Sequence, residues 1–188
     1  MRRILVIGSG GSGKTRLARE IAARTGLPLI HLDSLYWRAG WEPTPNPEWD
    51  RIIERLVAGP AWVIDGNYSR TLPTRLAACD TVVFLDLARW RCLWRLFRRR
   101  LQYFGQSRPD LPPGCGERLT WEFVRWVWTY RAERRPAILR QLAELATSKR
   151  VVVLSTPGEV VRFLSKVDAQ LDDGVLRNRI MVTRDGSG

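Results

Sequence analysis

Eight consecutive residues carry the most specific chemistry in this chain: Gly8-Ser9-Gly10-Gly11-Ser12-Gly13-Lys14-Thr15. They match the phosphate-binding pattern G-x-x-x-x-G-K-[ST], the P-loop. Its glycines let the backbone turn tightly and aim successive N–H groups inward as a nest for an anion. A helix starting at the loop adds its positive N-terminal end. Lys14 can reach the β- and γ-phosphates of ATP, and the Thr15 hydroxyl can ligate Mg²⁺. Such a site also needs a carboxylate near the metal, usually at the end of a neighbouring buried strand. Asp65 and Asp86 both stand at such an end, and either could instead serve as a turn or cap residue. Asp65 is preferred because Gly66-Asn67-Tyr68-Ser69-Arg70, a ligand-like run, follows it. Asp33 ends an earlier strand. It could sit beside an acceptor hydroxyl and take its proton, or it could cap a short helix beginning at Ser34.

These groups need a scaffold, and the hydrophobic pattern supplies one. Arg3 to Ile7 is an apolar run of buried-strand type, and Leu17, Ala18, Ile21 and Ala22 then recur at helical spacing. Leu27–Leu32, Ala61–Asp65, Thr81–Asp86 and Arg150–Ser155 read as four further strands. Helices are expected over residues 47–58, 88–102, 119–131, 133–146 and 157–167, with Pro47 and Pro157 at the starts of two of them. The alternation predicts an α/β fold: a doubly wound, five-stranded parallel sheet with helices on both faces. In the 88–102 helix, Trp90, Leu93, Trp94, Phe97 and Leu101 are expected to form the core-facing side, with Arg91, Arg95, Arg98 and Arg99 on the other. Trp121, Phe123, Trp126, Val127 and Tyr130 read as packing of the next helix. Tyr36, Trp37 and Trp41 either stack on a ligand or pack on one another. Residues 103–118, which include Cys115, read as a proline- and glycine-rich loop, and residues 169–188 as a disordered tail.

The chain has 188 residues, 45% of them hydrophobic, and a formal net charge of +12. One domain, residues 1–168, is expected. The charge is concentrated: residues 89–140 hold 13 arginines against 4 acids. Three cysteines show no zinc or redox spacing, one histidine argues against a histidine-rich metal site, and no apolar run is long enough to span a bilayer. Neither a signal peptide nor a membrane partner is expected, and a reduced cytoplasm is the expected location.

Beyond the P-loop, Asp65-Gly66-Asn67-Tyr68-Ser69-Arg70-Thr71, the strand ending Leu85-Asp86 and the arginine-rich helix after it resemble adenylate kinase and its nucleoside-monophosphate-kinase relatives. The segments His31-Leu32-Asp33-x-Leu35-Tyr36-Trp37, Asp65-Gly66-Asn67-Tyr68 and Arg108-Pro109-Asp110-x-x-x-Gly114-Cys115 also resemble a narrower bacterial group, the adenylate-kinase-like topology modulation proteins. The resemblance implies a core, an acceptor-binding cap over about residues 32–60 and an arginine-bearing lid over about 99–135. It implies that Arg70 holds the acceptor phosphate and that Pro157 and Gly158 touch the adenine. Arg98, Arg99 and Arg100 match the start of the lid. Arg131, Arg134 and Arg135 are candidates for its returning side. Lid arginines would neutralise the transferring phosphoryl group and exclude water. Two departures matter. Tyr36 stands where the family has a phosphate-binding arginine, which counts against AMP as the acceptor, with Arg38 a candidate substitute at a different spacing; and Asn67-Tyr68-Ser69 replaces Phe-Pro before Arg70. Shikimate, gluconate and uridine kinases resemble the chain in the P-loop and in the second-strand aspartate, and they phosphorylate hydroxyls.

The leading expectation is therefore an ATP- and Mg²⁺-dependent small-molecule kinase acting on a nucleotide or a hydroxyl acceptor. The alternatives are a nucleotide-dependent nucleic-acid binder using the arginine-rich segment, and an ATP-binding regulator without turnover.

Overall fold

A computed structural model of the chain describes residues 1–102 and 120–169. Five parallel strands form the central sheet: β1 (Arg3–Gly8), β2 (Leu29–His31), β5 (Trp62–Asp65), β6 (Thr81–Leu85) and β7 (Arg150–Leu154). Their order across the sheet is β2-β5-β1-β6-β7, so β1 lies at the centre with Val6 opposite Asp65 on one side and Val83 on the other. A second sheet, unforeseen from the pattern, is the two-stranded hairpin β3 (Trp37–Arg38) and β4 (Glu42–Pro43).

Alternation along the strands sends side chains to two separate cores. Ile4, Val6, Val63, Val83 and Leu85 face α1 (Lys14–Thr25), α5 (Arg89–Gln102) and the terminal helix over residues 157–169, through Leu17, Ile21, Cys92, Leu96, Phe163 and Val167. Leu5, Ile7, Ile64, Val82 and Phe84 face α3 (Asn46–Val57), α4 (Leu72–Ala78) and α7 (Arg135–Leu145), through Trp49, Ile53, Leu72, Leu76 and Leu142. The helix α6 (Trp121–Glu133) contributes Val127 to the first core and Tyr130 to the second, and Trp126 packs against both. Proline opens α3, α4 and α7, where its missing N–H goes unmissed. Gly26 ends α1 at φ 69°, its N–H donating to Ala22 O.

One expectation is overturned. Most of the apolar stripe of α5 stays out of the core: Trp90, Trp94, Phe97 and Leu101 are exposed, only Leu93 of the stripe packs against the core, and the fully inward side chains are Cys92 and Leu96. That inner face lies against the P-loop, where polar contacts and small side chains are needed rather than bulk. The 103–118 loop, Cys115 and most of the 169–188 tail lie outside the described residues.

Candidate active site

The P-loop leaves the centre of the sheet. At Gly8, φ is 150° and a Cβ would stand 2.6 Å from Leu85 O, so only glycine lets the chain turn there. Gly11 and Gly13 adopt φ 72° and 96°, and a Cβ on Gly11 would collide with the Cys92 carbonyl of α5. Gly10 is small for a different reason: a Cβ would come within 2.8 Å of Phe123 and 3.0 Å of Val127, because α6 lies across the loop.

Within this cradle, Lys14 Nζ donates to Ser9 O at 2.9 Å. Burial lowers the Lys14 pKa; the charges of Asp65 and Asp33 raise it, and Arg99 lowers it further. Ser9 and Ser12 hold buried hydroxyls without a hydrogen-bond partner among the described residues. Arg95 reaches in from α5 and donates to Ser12 O at 2.8 Å. Thr15 lies in the first turn of α1 and is half-buried.

Asp65 and His31 are register partners on β5 and β2, which sets His31 Nδ1 3.2 Å from Asp65 Oδ1, without the alignment of a hydrogen bond. Asp65 is 4% exposed, and its other oxygen, Oδ2, has no hydrogen-bond partner among the described residues. Asp86 is equally buried, but it accepts from Arg135 Nε at 2.7 Å. A buried carboxylate oxygen with an unused lone pair, beside a lysine and a nest of glycines, suits a divalent cation held between Asp65 and Thr15. These residues fit magnesium and a triphosphate.

Asp33 lies in the first turn of α2 (Leu32–Tyr36), but no side chain caps that helix. The carboxylate instead accepts the Tyr68 hydroxyl at 2.7 Å. Burial, and then the Asp33 charge, push the Tyr68 pKa far upward, so the phenol keeps its proton. The Tyr68 ring is clasped by Tyr36 and Trp49, with centroids at 4.5 and 5.0 Å. Tyr36, Trp37 and Trp41 pack edge-on in series, at 4.9 and 5.3 Å, so these aromatics build one another's support.

The loop between Asp65 and Arg70 ties both halves of the site together. Asn67 accepts from Gly8 N at 3.1 Å and donates its amide back to Gly8 O, while Tyr68, its neighbour, holds Asp33. Behind the loop sits Arg75, fully buried, donating to the Gly66, Asn67 and Tyr68 carbonyls at 2.8 Å each and to Thr71 O at 3.3 Å. Burial pulls its pKa down to about 10, which still leaves it charged at neutral pH. The sequence reading missed Arg75. Its signal was an arginine in line with Leu72 and Leu76 on the buried face of α4.

Other predicted residues lie elsewhere. Arg70 is exposed and makes a two-point pair with Asp50, at 3.1 and 2.6 Å. Arg98 points to solvent on α5, whereas Arg95 and Arg99 lie toward the loop. Arg131 lines a small recess with Ser9, Asp86 and Tyr130. Arg134 lines a cleft of about 230 Å³ with Asn67, Ser69, Trp126, Tyr130 and Glu133. The buried Tyr130 hydroxyl there has no partner among the described residues. Pro157 and Gly158 form the exposed first turn of the terminal helix, which Thr156 and Glu159 cap by bonding the Glu159 and Ser155 amides.

No family model matches the chain, and no curated protein sequence matches it. Its fold is shared with solved small-molecule kinases. A gluconokinase from Sinorhizobium meliloti 1021 superposes with a TM-score of 0.50 and 18% identity over 94% of this chain and 97% of that one. A shikimate kinase from Acinetobacter baumannii, in complex with shikimate, superposes with a TM-score of 0.54 and 18% identity over 95% and 94%. The architecture is thus the P-loop α/β fold of such kinases.

Proposed function

We propose that this chain is an ATP-dependent kinase that phosphorylates a hydroxyl group on a small molecule. The observation that carries the reading is Asp33: a carboxylate in the electrostatic field of Lys14, oriented by a phenol that keeps its own proton. A phosphate acceptor is already nucleophilic and has no use for such a base, whereas a hydroxyl does. In this reading the glycine nest and Lys14 bind the triphosphate. Asp33 takes the proton of the acceptor hydroxyl as its oxygen bonds to the γ-phosphorus and the bond to the leaving ADP oxygen breaks. Magnesium, held by Thr15 and Asp65, would neutralise charge on the phosphates. Arg95 and Arg99 stand nearest the loop and are the arginines best placed to offset charge on the transferring group. The cleft beside Asn67, Tyr130 and Arg134 would take the body of the acceptor, with Arg134 facing any anionic substituent. Arg70, paired with Asp50, is the reserve for an acceptor phosphate and would have to leave that pair.

A coupled assay of ATP consumption, over a panel of small polyols, hydroxy acids, nucleosides and nucleoside monophosphates with Lys14→Ala as blank, tests this. Turnover confined to hydroxyl acceptors and lost in Asp33→Asn is the expected result. Turnover with AMP that survives Asp33→Asn but not Arg70→Ala would replace it with the adenylate-kinase reading. ATP binding without acceptor-dependent turnover would favour the nucleic-acid or regulatory alternatives.

A further inference from the structure

The most conspicuous feature outside the site is the outer face of α5. Trp90, Trp94, Phe97 and Leu101 recur at steps of four, three and four, which draws one line along a helix. They are 64%, 61%, 50% and 61% exposed. The line continues onto α6: Trp128 meets Trp90 edge-on at 4.6 Å, and Trp121, two turns earlier on the same side, is 75% exposed. Monomeric soluble proteins rarely leave so much contiguous aromatic surface bare, and where they do it marks an interaction site.

Charge identifies the kind of partner. The α5 segment contains six arginines and no acid. Arg91 and Arg98 flank the aromatic line in the exposed state, without an ion pair among the described residues. Two copies meeting through this face would set arginines against arginines, so a second copy is disfavoured. Single-stranded nucleic acid needs free ring faces for its bases. Here Arg89 covers the Trp128 ring at 4.2 Å, and Trp94 and Phe97 lie nearly parallel at 6.2 Å, each against the other. Tryptophan, phenylalanine and leucine along one helix face, bordered by arginine, are the composition that settles at the headgroup boundary of an anionic bilayer. No helix among the described residues is long and apolar enough to cross a membrane, which bears on spanning and not on lying at the surface.

We infer, against the expectation of no membrane partner, that the outer face of α5, extended by Trp121 and Trp128 of α6, docks this protein reversibly on anionic lipid surfaces. Because the inner face of the same helix carries Arg95 to the P-loop, docking holds the site close to the lipid.

Co-sedimentation of the full chain with vesicles of phosphatidylglycerol mixed with phosphatidylcholine, and with phosphatidylcholine alone, tests the inference. Two double variants accompany it, Trp94→Ser with Phe97→Ser and Arg91→Glu with Arg98→Glu. Thermal unfolding and ATP binding verify that both are folded. The wild type is expected to pellet with the mixed vesicles, and about tenfold less with phosphatidylcholine alone or in high salt. Each double variant is expected to lose about tenfold or more in affinity for the mixed vesicles. The inference is overturned if the wild type stays in the supernatant or if binding survives both double variants. It is overturned equally by light scattering that shows a dimer dispersed by the Trp94 and Phe97 changes, and by a single-stranded oligonucleotide that binds through these residues where vesicles do not.

Discussion

Asp33 and Tyr68 set what single side chains contribute. Asp33→Asn removes the proton acceptor and keeps the shape, so kcat should fall about 10²- to 10⁴-fold with little change in KM for ATP, measurable by steady-state kinetics. Tyr68→Phe keeps the ring between Tyr36 and Trp49 but frees the carboxylate, and kcat should fall about tenfold while stability changes by about 1 kcal/mol. A pH effect arises at Cys79, which is 2% exposed and donates to Leu76 O. Burial raises its pKa from 9.0 to about 11. A raised folded pKa means stability that is complete below about pH 9 and is lost as pH rises toward about 11, at up to about 1.4 kcal/mol per unit. Urea titrations from pH 8 to 11 should show a fall of that sign, to which the buried Cys92 thiol and the Tyr68 and Tyr130 phenols add, and Cys79→Ala should make it shallower. At this scale the sequence disclosed residue types better than partners. Lys14, Thr15 and Asp65 are fixed by motif and strand end. The pairing of Asp33 with Tyr68 joins residues 35 positions apart, and no local pattern encodes it.

Helices and loops decide whether those side chains meet. Arg75→Met would bury the stem and strip the Gly66, Asn67 and Tyr68 carbonyls of their donor. The expected loss is on the order of 3 kcal/mol, together with weakened ATP binding, because Asn67 holds Gly8. Calorimetry and nucleotide titration would separate the two effects. Elements were legible wherever periodicity had a single solution: β1 and α1 around the P-loop, the four later strands, and the helices α3, α5, α6 and α7, whereas the seven-residue α4 was too short to show a period and was missed. Orientation was legible only where one face alone was apolar. In α5, periodicity located the stripe correctly, but the face that meets the protein was the one with Cys92, Leu96 and two arginines, since an anion-binding loop rather than a hydrocarbon core lies beneath it. The β3–β4 hairpin escaped detection because two-residue strands are too short to show a period, and its turn places Trp41 at φ 68°, where tryptophan is not expected.

For the molecule as a whole, α6 links nucleotide site and stability, since it lies on Gly10 and joins both cores. ATP with magnesium at about a hundred times its Kd should contribute about 2.7 kcal/mol and raise Tm by about 5–10 °C, and Lys14→Ala should abolish the rise in a thermal-shift assay. The parallel sheet was legible from the alternation of strands and helices, whereas its order was not, because apolar runs do not name their neighbours. That order has a consequence in time. β1 leaves the ribosome before either of its neighbours, which lie at residues 62–65 and 81–85. A nascent chain that has not yet reached residue 85 therefore carries the whole P-loop motif but cannot close the sheet from which the loop springs, and nucleotide affinity should arise in one step, when β6 docks.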